Sequence, residues 1–142
     1  MEEIIRQIYA QARLIGACQR FRGTEKTLDD IVRLFCSTQG MEFCIKNRFP
    51  NMATFRLFKP FKPETYGIYI DAGIITLHNP EKAVLIGRTS ATINCDTLER
   101  HEVFLLHGAK AFINASGWAV VSVQGSTGCQ QVRNVTGNAV IL

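Results

Sequence analysis

No apolar run in this chain approaches the roughly 18–20 residues that a bilayer-spanning helix needs, so no membrane partner is expected. Nor is there a basic-then-apolar leader. The first residues, MEEIIRQIYAQARL, begin acidic and then mix charge with apolar side chains, which is not the order of a signal peptide. Cysteines are present but never paired as C-x-x-C: Cys18, Cys36, Cys44, Cys95 and Cys129 are odd in number and widely spaced. A disulfide framework or a structural zinc site calls for closer, paired spacing. The five therefore read as small buried hydrophobes in a reducing compartment, and the expected location is the cytoplasm.

Chemistry-bearing motifs are missing as well. No phosphate loop, dinucleotide fingerprint or metalloprotease motif occurs. Gly125-Ser126-Thr127-Gly128 has no lysine after it and opens no predicted helix, so it reads as a turn. His78, His101 and His107 share no spacing that would set them on one face. A metal site from His101, Glu102 and His107 is weighed against a solvated turn at His101-Glu102 and a bend beside His107, and the turn is preferred. Cys95 stands next to Asp96, the wrong neighbour for a thiolate nucleophile. Asp71, Arg88, Glu102 and Lys110 are the candidates for acid–base chemistry on a strand face. Asn114-Ala115-Ser116 and Asn134-Val135-Thr136 match the glycosylation sequon, a pattern common by chance. No cofactor and no metal are expected.

What the chain does contain is unevenly placed. Residues 1–62 hold eleven Lys or Arg against six Asp or Glu, a balance of +5, while residues 63–142 hold five against six, a balance of −1. Seven of the nine phenylalanines precede Lys62. Two halves of different character follow: a basic, Phe-rich helical subdomain at 1–62 and a β-rich subdomain at 63–142.

In the first half, Ile4, Ile5, Ile8, Ala12, Ile15 and Cys18 recur at helical spacing, with Glu2 and Glu3 where the helix dipole favours acids. Thr27 is the expected N-cap of a second helix, with Asp29 and Asp30 in its first turn and Leu28, Ile31, Val32 and Phe35 buried. Ser37 to Gly40 reads as a break, Met41 to Asn47 as a short helix, and Asn51 as the cap of a last helix holding Met52, Phe55 and Phe58. Pro60 and Pro63 end it.

From Tyr66 onward the period shortens to two, the signal of strands. The organising stretch is Val103 to Val123, VFLLHGAKAFINASGWAVVSV. Asp96 to Glu102 reads as a polar connection, and Ala139 to Leu142 as a last strand, paired and buried. Gly73, Gly87, Gly108 and Gly125 each follow an apolar run, at spacings of 14, 21 and 17. They align the pieces IYIDAGIITLHN, AVLIGRTSATIN, VFLLHGAKAFIN and VVSVQGSTGCQQV. Such repeats suit coils of a β-solenoid with glycine at the bends, and Gly108 is expected to have a positive φ or a backbone packed on the next coil. The fold class is α+β: a helical subdomain, then an all-β unit forming a short right-handed β-solenoid. The alternative is a small antiparallel meander or sandwich.

This rhythm of apolar pairs, glycine and alternating Ala, Val and Ile resembles small β-solenoid modules of the bactofilin type over residues 66–142. The core His107 to Gly117, HGAKAFINASG, is similar to that of short uncharacterised bacterial or prophage proteins. The resemblance implies a parallel coil and brings no activity with it.

Three functions are carried forward. The first is a non-enzymatic structural or interaction module that self-associates through Val140, Ile141 and Leu142 or binds another protein. The second is a nucleic-acid-binding regulator using Arg6, Arg13, Arg20, Arg22 and Lys26 as phosphate contacts. Its helix pair at 28–36 and 41–47 imitates a helix-turn-helix but leaves few exposed positions to read bases. The third is a small carbohydrate-active β-helix enzyme.

Overall fold

Thr27 accepts a hydrogen bond from the Asp30 amide and the Asp30 carboxylate accepts one from the Thr27 amide, closing a capping box worth about 1 kcal/mol. In the computed structural model, which describes residues 2–14 and 27–142, this cap opens helix α2 (Leu28–Phe35). The preceding helix α1 (Glu2–Leu14) buries Ile4, Ile5, Ile8 and Ala12, while Ile15 and Cys18 lie outside the described residues. Helix α3 spans Thr38–Asn47 and α4 spans Met52–Arg56, the latter capped by Asn51. Two 3-10 turns, Lys59–Phe61 and Pro63–Tyr66, follow. The described residues form two compact units that divide between Tyr66 and Gly67.

Two helix boundaries depart from expectation: α4 ends before Phe58, and α3 begins before Met41. Ser37 is the N-cap of α3 and accepts from the Gly40 amide, so Thr38 to Gly40 are helix and not a break. Glycine is tolerated there because of packing: a Cβ on Gly40 would lie 2.5 Å from the Leu34 oxygen and 2.6 Å from that of Phe35. The close approach of α2 and α3 outweighs the helix cost of glycine, about 1 kcal/mol. Phe49 anchors this unit, with ring centroids 5.3 Å from Phe35 and 5.6 Å from Phe43. Gln11 ties α1 to α4, accepting from the Asn51 amide and donating to Thr54.

The second unit has nine strands: β1 (Ile68–Ile70), β2 (Gly73–His78), β3 (Lys82–Ile86), β4 (Thr89–Cys95), β5 (Arg100–Leu106), β6 (Lys110–Ala115), β7 (Val120–Gly125), β8 (Gln130–Val135) and β9 (Val140–Ile141). Odd strands form one sheet in the order β1-β3-β5-β7-β9, and even strands form another in the order β2-β4-β6-β8. Each pairing is parallel. This is a parallel β-solenoid of about four turns, and it excludes the antiparallel meander or sandwich. Ala83, Leu85, Ala91, Ile93, Val103, Leu105, Ala111, Ile113 and Val121 fill the space between the sheets.

The register is more regular than the glycines suggest. Ile68 pairs with Val84, 16 residues on, but every later coil adds 20: Val84 to Phe104, Ala91 to Ala111, Val103 to Val123, Val120 to Val140. From Arg100 a strand begins every ten residues, at 100, 110, 120, 130 and 140. Ala109, Ala119 and Ala139 sit buried just before each strand, with Cys129 half-buried in the same place. Small side chains are needed there because the chain turns inward against its neighbours.

Gly108 has a φ of 82°, as the bend requires, and Gly73 and Gly87 are also positive, at 72° and 68°. Gly125 is not a bend. It ends β7 beneath Leu105, whose Cβ would lie 3.3 Å from a Cβ placed on it. The fourth bend belongs to Gly128, at φ 93°.

Candidate functional site

The edge formed by β8 and β9 is where the solenoid presents unpaired backbone beside apolar side chains. All six residues of β8 are exposed. Among the large apolar side chains exposed there are Val132, Val135, Val140 and Leu142, the last at 61 %. β9 does pair with β7, through Val120↔Val140 and Val121↔Ile141, but the last strand is not buried as expected. Its two residues are exposed and half-buried, because no strand lies beyond it in the sheet.

A ladder of asparagines runs along the outer face of the even-numbered sheet. Asn94, Asn114 and Asn134 are in register. The Asn114 amide donates to Asn94 Oδ1 at 2.9 Å and the Asn134 amide to Asn114 Oδ1 at 3.0 Å. Stacked amides satisfy one another at the strand spacing of a sheet. Both sequon asparagines thus have a structural role. The Ile-Asn pairs Ile93-Asn94 and Ile113-Asn114 were a signal for two of the ladder's three members.

His101 is the largest correction to the polar connection at 96–102. It lies in β5, faces inward and is fully buried. Its Nδ1 lies 2.8 Å from the Pro80 carbonyl, which can only accept, so Nδ1 carries a hydrogen. Nε2 meets the Thr97 hydroxyl at 3.2 Å. Around them Asn79 donates to Asp96 Oδ1 and accepts from the Asp96 amide, each at 2.8 Å. These bonds fasten successive coils at one corner. His107 is at a bend as expected, with a φ of 54°. Among the described residues no group of three or more His, Cys, Asp or Glu converges in metal-binding fashion.

The acid–base candidates do not assemble as a set. The Asp71 carboxylate accepts from the Arg88 amide at 2.8 Å, joining two corners. Glu102 instead lies on the odd-numbered sheet, 3.7 Å from Lys82 Nζ and 3.8 Å from the Arg100 guanidinium. Lys110 is exposed on the outer face of the opposite sheet. Burial, and then the Asp96 charge, push the Cys95 thiol up from 9.0 to about 11, the opposite of what a nucleophile needs.

Of the basic set, Arg6 is engaged by Glu3 at 3.1 Å and Glu2 at 4.0 Å. Arg13 is exposed. Arg20, Arg22 and Lys26 lie outside the described residues. On α3 the exposed side chains include Gln39, Glu42, Lys46 and Asn47, where Glu42 would repel phosphate. Among the described residues no helix is long and apolar enough to cross a membrane.

Comparison with family models, curated proteins and solved structures finds no match for this chain.

Proposed function

We propose that the protein is a non-enzymatic structural or interaction module that self-associates through the end of its β-rich half. Val140, Ile141 and Leu142 form the contact. The observation that carries this reading is the open β8–β9 edge, where strand backbone without a neighbour stands beside exposed Val135, Val140 and Leu142. Such an edge recruits strands from other chains, and apolar side chains there gain about 25 cal/mol per Å² when covered. The cysteines, too widely spaced to form a C-x-x-C pair, suit a cytoplasmic setting.

Sedimentation velocity of the intact protein, beside Leu142→Glu and a version ending at Gly137, tests the reading. The intact chain should show concentration-dependent association, and both variants should shift toward monomer. A strict monomer at high concentration, unchanged by either alteration, removes it.

A further inference from the structure

Two inward columns of the even-numbered sheet change character at β8, while a third, Cys95 and Ala115 to Val135, stays apolar. Ile75, Ala91 and Ala111 lead to Gln131, and Leu77, Ile93 and Ile113 lead to Arg133. The earlier members lie in or against the core, whereas Gln131 and Arg133 are exposed. Arg133 Nε donates to Gln131 Oε1 at 2.7 Å, so the two side chains are held to each other along the edge. Two polar groups thus stand where the interior would otherwise continue.

We propose that Gln131 and Arg133 are an end-stop, closing the even-numbered side of the solenoid to a second copy of this chain and preventing open-ended head-to-tail stacking. At the other edge of that sheet, β2 offers Ile75 and Leu77 inward, half-buried and uncharged. A second copy continuing the columns would set its Ile75 on Gln131 and its Leu77 on Arg133. The guanidinium would then be enclosed by Ile113 on one side and leucine on the other, with no acid in either column. Burying an unpaired charge in this way is strongly unfavourable, and inward-pointing charge is a known protection of strand edges. The proposal deepens the self-association reading by dividing the edge: β9 is open to a partner, and β8 is shut.

The test is sedimentation velocity of the full chain over a wide concentration range, comparing wild type with Gln131→Ala/Arg133→Ile, which restores the residue types of the preceding columns. The double variant should show a sedimentation coefficient that rises with concentration without a plateau, while wild type stays small or stops at a closed oligomer. Arg133→Ile alone should move the same way and carries the test if the double variant misfolds. Arg133→Glu, which keeps a charge, should behave as wild type. Gln130→Ile adds an apolar group at the same edge but in the outward column, and it should not polymerise. Wild-type-like sedimentation of both Arg133→Ile and the double variant overturns the proposal, as does open-ended growth of Gln130→Ile or of wild type itself. If wild type is a monomer unaffected by Leu142→Glu but Arg133→Ile polymerises, self-association falls and the end-stop stands. If wild type is a closed oligomer and Arg133→Ile is no larger, the reverse holds.

Discussion

Gly108 has a φ of 82°, and a Cβ added there would meet nothing within 4 Å. The cost of a side chain at this corner is therefore backbone strain rather than collision. Gly108→Val should lower stability by about 1–3 kcal/mol, read as a fall in melting temperature. A raised midpoint would mean that the corner does not constrain the chain. Cys95 sets a second expectation. The folded state holds the thiol proton up to about pH 11, while the unfolded chain releases it from 9.0. Between those values the unfolded state binds fewer protons, so stability should fall as pH rises, by about 1.4 kcal/mol per pH unit. At neutral pH the effect vanishes. Cys95→Ala, which matches the stacked Ala115, should flatten the alkaline slope in denaturant titrations.

Among the elements, the asparagine ladder ranks its own members. Asn114 donates to Asn94 and accepts from Asn134, whereas Asn134 makes the second of these bonds alone. At roughly 0.5–1.5 kcal/mol per bond, Asn114→Ala should cost about 1–2 kcal/mol and Asn134→Ala about half as much. Equal losses in urea melts would show that the ladder does not stabilise the stack. The strands themselves were legible from alternation, yet their register was not. Aligning the pieces on glycine set Val103 on Val120 instead of Val123. Glycine was an unreliable ruler because it marks different positions of the coil: Gly73 pairs with Thr89, Gly87 follows the Ile86–Leu106 pair, Gly108 lies two residues before the Lys110–Gln130 pair, and Gly125 pairs with Leu105. The small residues at 109, 119, 129 and 139 kept the true period of ten.

For the whole molecule, the expected association through β9 rests on apolar contact, whereas binding of phosphate by the basic half would rest on charge. Salt separates them. Raising sulfate should strengthen self-association, since excluded salts favour apolar burial, and should weaken any nucleic-acid complex. Loss of association in sulfate would contradict an apolar interface. By itself the sequence determined the helical half with its Thr27 and Asn51 caps, the change to strands near Tyr66, the bend at Gly108 and the inert setting of Cys95. These depend on neighbours within a few residues: a cap, a period, a turn, an adjacent carboxylate. Tertiary structure alone decided that His101 is interior, that Gly40 belongs in a helix, that Gly125 is straight, and that Gln131 and Arg133 occupy core columns at an exposed edge. Each of those depends on a group some distance away along the chain — Pro80 for His101, Leu34 and Phe35 for Gly40, Leu105 for Gly125, Ala111 and Ile113 for the polar pair. In a parallel coil the neighbour that determines a side chain's surroundings is often one full turn away, and local periodicity carries no record of it.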